Sequence, residues 1–262
     1  MTDRPLRGVR IDLEAIRHNV RAAVSREPAM PVLAVVSADG YGHGALQTAR
    51  AAIEAGAAGL CVGRVDEGVA LRAAGIRVPI LAEATASAEE RAEGSENGIA
   101  IALDAHRPGL DGARRVSETL YGLGPKSARN GLRPAMRVSA QVVATKTIEA
   151  GEGVSYGYTY RATRRTNLAL VSIGYADGLD RRASNRGTLW LDGAPRLIAG
   201  RVAMNYVVLE LGEDSTTVGA EAVLFGDEAR GEPSATRWAE SIGVPVSAVV
   251  CTIGAHVARS YV

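Results

Sequence analysis

Lysine is nearly absent from this sequence of 262 residues. Only two of its 30 basic residues are lysines, Lys126 and Lys146, and all the others are arginines. An arginine side chain stays protonated and is not a nucleophile, so it cannot replace a lysine amine in covalent catalysis. A reaction that needs an amine on the protein is therefore limited to these two positions.

The sequence also has few cysteines, no long apolar run and little net charge. Cys61 and Cys251 both lie in apolar runs, which favours buried free thiols in a reducing cytoplasm over a disulfide framework. No stretch approaches the ~20 apolar residues of a membrane span. The net charge of +1 gives no basic surface for nucleic acid. We expect a cytoplasmic protein that acts on a small molecule, without a metal and without a nucleic-acid or membrane partner.

The first hundred residues alternate short apolar runs with amphipathic stretches. Residues 9–11 resemble an edge strand, and Asp12 is placed to cap a helix. Further strands are predicted at 32–36, 59–62, 78–82 and 98–103, with helices at 45–55, 65–74 and 87–93. Strands that alternate with helices of about ten residues predict a parallel sheet with right-handed crossovers.

From Met136 onward the sequence becomes typical of β-structure, with alternating β-branched residues and glycine turns. Strands are predicted at 137–148, 168–173, 188–191, 196–202, 207–211, 222–225 and 249–253, and a short helix at 236–242. We therefore predict two domains. A β/α domain covers residues 10–124, and a C-terminal β-domain covers residues 1–9 and 125–262.

The segment Pro31-Val-Leu-Ala-Val-Val-Ser37-Ala-Asp39-Gly-Tyr41-Gly-His43-Gly44 is an apolar strand that runs into a glycine-rich turn. It resembles the signature of alanine racemases, which are pyridoxal-phosphate enzymes built on a β/α barrel. In that family the position of Ser37 is the lysine that forms the Schiff base with the cofactor. A hydroxyl cannot form that imine. The resemblance therefore implies the fold while removing the family's covalent attachment point.

The same resemblance implies a shortened barrel. Residues 119–125 are similar to the family's exit from the eighth barrel strand, although a complete eightfold barrel takes ~250 residues. We infer that a block covering roughly strands five to seven is missing, which leaves a barrel that is open, closed with fewer strands, or completed by another chain. The predicted fold class is α/β followed by β: a shortened, TIM-like (β/α) barrel of the alanine racemase type and a C-terminal β-domain.

Three C-terminal motifs extend the resemblance. The loop 153–162 matches the family loop whose tyrosine, supplied by the partner subunit, transfers a proton on the face opposite the lysine, and Tyr156 falls on that position. Residues 173–178, with Tyr175, match a motif at the mouth of the active site. Residues 200–205, with Met204 and Asn205, match the segment near the substrate carboxylate, where Ala203 and Asn205 depart from the family's Cys-Met-Asp.

The cofactor contacts implied by the resemblance are only partly retained. Tyr41 aligns with a tyrosine that binds the cofactor phosphate, and Arg115 with an arginine that contacts the pyridine nitrogen, so both are vestigial cofactor-binding candidates. The backbone pair after that arginine reads Ser117-Glu118, which brings a carboxylate towards a dianionic phosphate. Lys126 and Lys146 lie in the linker and the β-domain, so neither replaces the missing amine. We expect no cofactor, or at most weak non-covalent binding of pyridoxal phosphate.

These features predict an enzyme independent of pyridoxal phosphate that performs proton transfer, isomerisation or cyclisation of a small molecule. Its catalytic candidates are Tyr156 and Ser37, and its pocket candidates are Tyr41, Arg115, Tyr175, Met204 and Asn205. Two alternatives stay open: a non-catalytic binding or scaffold descendant of an alanine racemase, and a pyridoxal-phosphate-dependent amino-acid racemase. Plainer roles are open too, with Ser37 ending a strand, Tyr156 as a packing lid and Arg115 as a solvated surface residue.

We further predict a homodimer. In the resembled family, the β-domain of one subunit faces the barrel of the other, so Tyr156 would meet Ser37, Tyr41 and Arg115 only between subunits. An open barrel also leaves unpaired strand edges that need cover. Both arguments favour a site shared across an interface.

Overall fold

The computed structural model describes residues 5–84, 87–102, 112–125, 127 and 130–262. The chain divides into two compact units. The parallel-sheet unit consists of Asp12–Ala135 together with Val262. The β unit consists of the residues up to Ile11 together with Met136–Tyr261. The first strand, β1 (Arg7–Ile11), therefore belongs to the β unit, and the chain then enters the parallel-sheet unit.

The parallel-sheet unit alternates strands and helices in the way the sequence predicts. Helix α1 (Leu13–Arg26) begins after Asp12, whose Oδ1 accepts a hydrogen bond of 2.9 Å from the backbone N–H of Ala15. The elements that follow are β2 (Val32–Val35), the single turn α2 (Ser37–Tyr41), α3 (Ala45–Glu54), β3 (Gly59–Val62), α4 (Val65–Ala73), β4 (Ile80–Ala82), α5 (Ala88–Glu96), β5 (Ile99–Ile101) and β6 (Arg114–Val116).

All five strands of this unit are parallel, in the order β5-β4-β3-β2-β6. Strand β6, the last in sequence, pairs with β2, the first, and Arg115 lies opposite Leu33. Among the described residues, β5 pairs only with β4 and β6 only with β2, so the sheet is not closed into a barrel. The described strands do not show closure with fewer strands, and an open barrel and a barrel completed by another chain both stay predictions.

One face of the sheet carries a continuous apolar cluster. Leu33 and Val35 of β2 pack with Cys61 of β3 and Leu81 of β4, and all four are buried. Tyr41 and the small side chains of Ala100, Ala102 and Ala113 pack against them. The other face is covered by helices, since Gly68 of α4 lies against Ile80 and Ile99. Burial on both faces explains why these strands are uninterrupted apolar runs rather than alternating ones.

The β unit is built around the long strand β7 (Met136–Ile148). The remaining elements are β8 (Gly153–Val154), β9 (Tyr160–Arg161), β10 (Thr166–Val171), β11 (Thr188–Leu191), β12 (Ala194–Leu197), β13 (Val207–Gly212), β14 (Glu221–Phe225), α6 (Ala235–Ile242), α7 (Val246–Cys251) and β15 (Ala258–Tyr261). The main sheet runs β12-β11-β14-β7-β1-β15, and β10 joins β7 to β13. The indole N–H of Trp238 on α6 donates to the Thr188 carbonyl at 3.1 Å and fixes that helix on the sheet.

Two local predictions are wrong. Strand β1 is not an edge strand, because β7 and β15 pair with it on either side. The run 249–253 does not form a strand, because most of it lies in helix α7, where Ala248 and Val249 donate back to the Pro245 carbonyl at 3.1 and 3.4 Å. A short apolar run has no period that separates a strand from a buried helix.

The boundary between the units lies at Ala135 rather than at residue 124, where the sequence places it. Asn19 of α1 explains the difference. Its side-chain amide donates to the carbonyls of Leu120 at 3.0 Å and Arg133 at 2.8 Å, and its oxygen accepts from the Arg133 N–H at 2.8 Å. These bonds attach the segment up to Ala135 to the parallel-sheet unit.

In the described part of the chain, none of the helices is both long enough and apolar enough to cross a membrane. Within the same residues, no three His, Cys, Asp or Glu side chains are grouped so that they could hold a metal ion.

The burial of Cys61 gives a direct test of the apolar cluster. Burial, with the Glu83 carboxylate as a second cause, raises the pKa of the Cys61 thiol to about 12, whereas Cys251 is exposed. Because the thiolate is the reactive form, the native protein at pH 8 should show one fast thiol with Ellman's reagent. Cys251→Ala should abolish the fast phase, and Cys61→Ala should leave it unchanged. A fast phase in the Cys251→Ala protein would contradict this packing.

Candidate active site

The turn after β2 has an unusual backbone. Four consecutive residues from Ala38 to Tyr41 have φ between 52° and 61°, and Gly42 follows at 73°. Each non-glycine residue in this left-handed region costs about 1–2 kcal/mol, so the surrounding structure must impose the conformation. The cost falls on Ala38, Asp39 and Tyr41.

The side chain of Glu67 on α4 holds this turn. Its Oε1 accepts from the N–H of Ala38 at 2.8 Å, and its Oε2 accepts from Gly63 at 2.8 Å and Arg64 at 3.1 Å. One carboxylate therefore ties the turn after β2 to the turn after β3. At the far end of the turn, Asp39 Oδ1 accepts from the N–H of Ala45, the first residue of α3, at 2.8 Å.

Ser37 lies at the start of this turn, just beyond the carboxyl end of β2. Its hydroxyl is buried and has no hydrogen-bond partner among the described residues. The neighbouring position is Gly63, where a β-carbon would lie 3.7 Å from Ser37 Oγ and 3.3 Å from Glu67 Oε2. A side chain at Gly63 would therefore crowd the Glu67 carboxylate, and glycine lets the turns after β2 and β3 approach each other closely.

Tyr41 is held by aromatic packing. Its ring centroid lies 5.0 Å from that of Tyr121, and the buried His43 ring stacks on the same tyrosine at 4.4 Å. The Tyr121 hydroxyl donates to the Val35 carbonyl at 2.8 Å. Nδ1 of His43 lies 2.9 Å from the Tyr41 carbonyl. These contacts fit a structural role for His43 and keep the half-buried Tyr41 beside the apolar cluster.

Arg115 on β6 forms an ion pair. Its Nη1 donates to Glu83 Oε1 at 3.0 Å, and the Cys61 thiol reaches the same oxygen at 3.7 Å. Glu83 was not predicted from the sequence as a site residue. The available signal was its spacing of two from the buried Leu81, which places both on one face of the sheet at the carboxyl end of β4. The guanidinium of Arg115, a predicted pocket residue, is therefore paired with a carboxylate.

Ser37, Glu83 and Arg115 form what we call the rim cluster. Ser37 and Glu83 follow the carboxyl ends of β2 and β4, the edge at which parallel α/β sheets carry their active sites. Arg115 is the middle residue of β6, opposite Leu33, and its side chain reaches Glu83.

The β unit holds the other predicted residues on three adjoining loops. Tyr156 is 71% exposed and follows Ser155, whose hydroxyl donates to the Arg201 carbonyl at 2.7 Å. The N–H groups of Tyr175 and Ala176 donate to the carbonyls of Ala203 and Met204, both at 3.0 Å. The loops of Tyr156 and Tyr175 are thus both attached to the loop at 200–206.

A buried carboxylate fixes the turn that carries Tyr175. Asp177 is fully buried, and its Oδ2 accepts from the N–H of Gly174 at 2.9 Å. Its Oδ1 lies 3.0 Å from Arg7 Nε and 2.9 Å from His256 Nε2. Gly174 has no room for a side chain, because a β-carbon there would collide with the Met204 carbonyl.

The loops leave a patch of large side chains in solvent. We call Tyr156, Tyr158, Tyr175, Met204 and Tyr206 the aromatic patch, since each is more than 40% exposed. Asn205 is exposed beside them. Tyr158 and Tyr206 were not predicted, although their positions within and next to the matched motifs could have indicated them. The structure therefore groups Tyr175, Met204, Asn205 and Tyr156 in the β unit, and Ser37, Tyr41 and Arg115 in the parallel-sheet unit.

The rim cluster does not fit covalent attachment of pyridoxal phosphate. Ser37 offers a hydroxyl where an imine needs an amine. Lys146 lies on β7 with its side chain 72% exposed, near Glu152, and Lys126 lies outside the described residues. Arg115, the residue aligned with the pyridine contact, already pairs with Glu83. Tyr41, the residue aligned with the phosphate contact, packs against the apolar cluster.

Comparison with known proteins identifies both units. The alanine racemase N-terminal domain model matches residues 11–108, and the C-terminal domain model matches residues 135–261. The alanine racemase of Frankia casuarinae is 32% identical over 365 positions, covering 96% of this chain and 95% of that protein. The alanine racemase of Salinispora tropica is 33% identical over 363 positions, covering 97% of each.

A solved structure agrees with the sequence matches. The crystal structure of alanine racemase from the D-cycloserine-producing Streptomyces lavendulae superposes with a TM-score of 0.88 at 30% identity, covering 99% of this chain and 98% of that chain. The predicted fold class is confirmed by this match and by the two domain models.

These similarities overturn two predictions. The interpretation as a degenerate enzyme independent of pyridoxal phosphate is wrong, because the chain matches proteins named alanine racemase over nearly their whole length. The expectation of no cofactor is wrong for the same reason, since alanine racemases are a pyridoxal-phosphate family. The departure at Ser37 lies within a chain of which the alignments with these racemases cover 96% and 97%. This chain belongs to the alanine racemase family.

Proposed function

We propose that this chain is an amino-acid racemase that uses pyridoxal phosphate held without a covalent bond to residue 37. The observation that carries the proposal is the fixed loop of Tyr156. Ser155 binds the Arg201 carbonyl, and the loop leaves the Tyr156 phenol in solvent, where a ligand can reach it. The relatives that are 32% and 33% identical are named alanine racemase, which supports an amino acid as the substrate class.

In this proposal Tyr156 gives or takes the proton on one face of the α-carbon, and solvent water exchanges the proton on the opposite face, where Ser37 offers no base. The cofactor, when bound, supplies the electron-withdrawing group that makes this proton acidic. Ser37 cannot act as an amine base, and its unpartnered hydroxyl is instead free to bond a ligand. Tyr41 and Arg115 are the candidates for contacts with the cofactor, and Tyr175, Met204 and Asn205 for contacts with the substrate.

The proposal includes the shortened barrel. The alignments with the two relatives run over 365 and 363 positions, whereas this chain has 262 residues, which supports a missing internal block. Strand β5 ends at Ile101 and β6 begins at Arg114, yet β6 pairs with β2 and not with β5. We therefore propose that the missing strands belong between β5 and β6.

Alanine racemisation with and without added pyridoxal phosphate tests the function. The wild-type protein should convert L-alanine to D-alanine slowly and only with added cofactor, because Ser37 does not retain it covalently. Tyr156→Phe should lower that rate at least about a hundredfold, the size of one lost acid–base group. Tyr158→Phe, which removes a neighbouring exposed hydroxyl, is the matched control and should keep the rate. A wild-type protein with no cofactor-dependent racemisation would favour the non-catalytic alternative.

We also propose that the chain is a homodimer in which the aromatic patch covers the rim cluster of the partner subunit. The patch places five large side chains, each more than 40% exposed, on adjoining loops, and large exposed apolar patches mark interaction surfaces. Sedimentation equilibrium at micromolar concentration should give a dimer. Met204→Asp should shift it towards monomer, since it places a charge in the patch.

Val218→Asp is the control for the dimer, because Val218 is 66% exposed and lies outside the patch. This variant should sediment like the wild-type protein. A well-folded wild-type monomer, or equal weakening by both variants, would contradict the proposed interface.

A further inference from the structure

A cavity of about 590 Å³ lies on one face of the main sheet of the β unit, where β14, β7, β1 and β15 run side by side. Gly8 and Arg10 of β1 face this cavity, because Val9 and Ile11, whose side chains alternate with theirs, are buried on the opposite face. We call it the sheet cavity. Its lining residues all belong to the β unit, and its volume is within the range that small organic molecules occupy in proteins.

Two arginines face each other across the strands at the sheet cavity. Arg10 of β1 lies directly opposite Arg137 of β7 in the antiparallel register, a placement that is destabilising for like charges. The Arg137 guanidinium is neutralised, because Nη1 and Nη2 donate to the two Glu221 oxygens and Nε donates to Glu232, each at 2.9 Å. Arg10 is exposed, and its side chain has no hydrogen bond or ion pair with any described residue. Its charge is therefore uncompensated.

A third arginine lines the same cavity from the turn 228–230, which follows β14. The side chain of Arg230 is 54% exposed, and its Nε lies 3.8 Å from Glu232 Oε1, too far for a hydrogen bond. The three guanidinium groups of Arg10, Arg137 and Arg230 thus share two carboxylates. This leaves an unbalanced positive charge at the sheet cavity.

The rest of the lining neither supplies that missing negative charge nor competes for it. Both oxygens of Glu221 are occupied by Arg137, and the Ser139 hydroxyl donates to one of them at 2.7 Å. Arg259 also lines the cavity, but its Nη1 donates to the Gly254 carbonyl at 3.0 Å. Arg10 and Arg230 are therefore the guanidinium groups of the lining that are available to a ligand.

We propose that the sheet cavity binds an organic anion that has one carboxylate and an apolar body, with the carboxylate held by Arg10 and Arg230. The carboxylate balances the charge left over by the protein, and a guanidinium matches it with two parallel N–H donors. The apolar body covers Gly8 and the exposed Pro5 and Ala258. This site uses neither the rim cluster nor the cofactor, so it is independent of the proposed function.

Isothermal titration calorimetry on the full chain with benzoate and benzamide tests the proposal. The two probes have nearly the same size and shape, and only benzoate carries a charge. Benzoate should bind at least about tenfold more tightly at low ionic strength, and the difference should shrink when salt screens the charges. Equal affinities for the two probes, or no binding of benzoate, would overturn the proposal.

Substitutions localise the binding. Arg10→Gln should weaken benzoate binding at least about tenfold, because it removes the main charge-assisted contact. Arg26→Gln is the matched control, since Arg26 on α1 is likewise exposed and has no side-chain partner among the described residues. It removes the same charge from the chain and should bind benzoate like the wild type. Unchanged binding in Arg10→Gln, or equal weakening in both variants, would overturn the assignment to the sheet cavity.

Thermal unfolding of Arg10→Gln separates a binding role from a structural one. Without benzoate, the variant should melt at or above the wild-type temperature, because it removes a like charge opposite Arg137. Saturating benzoate should raise the melting temperature of the wild type and leave that of the variant unchanged, since a ligand stabilises only the protein that binds it. A variant that melts well below the wild type without benzoate would assign Arg10 to the fold and reject the binding role.

Discussion

The parallel pairing of β2 with β6 is the interaction on which the rest of this structure depends. It joins the first and last strands of the parallel sheet. In a full barrel other strands lie between them in the sequence, and we propose that this chain lacks that block. Because of this pairing, the Arg115 side chain reaches Glu83, which follows the carboxyl end of β4.

The turn after β2 and the residue at its start compare differently with the alanine racemase signature. The strained turn from Ala38 to Tyr41 is still imposed by Glu67, which binds three backbone N–H groups. The residue at its start, however, is Ser37, which has no amine. The backbone frame of the turn is therefore present, while the residue at its start offers no amine for covalent attachment of a cofactor.

Much of the fold could be predicted from the sequence, because apolar runs and glycine turns set the strands and helices locally. The family motifs are also local, so they could indicate Ser37 and Tyr156 as candidate site residues. Glu83 was missed because nothing in a short polar segment tells which distant arginine it will meet, and the ion pair arises only when β6 joins β2. The buried network of Asp177 with Arg7 and His256 was missed likewise, since its members are far apart in sequence. The register of strand pairing and the order of strands in a sheet depend on residues far apart in sequence, so local sequence patterns do not predict them.

Hydrogen exchange followed by mass spectrometry tests the pairing of β2 with β6 most directly. The Arg114 N–H donates to the Pro31 carbonyl at 2.8 Å, so peptides covering 114–116 should be protected to the same degree as those covering 32–35. Exchange of 114–116 as fast as in the unfolded chain, with 32–35 still protected, would contradict the sheet order and with it the rim cluster.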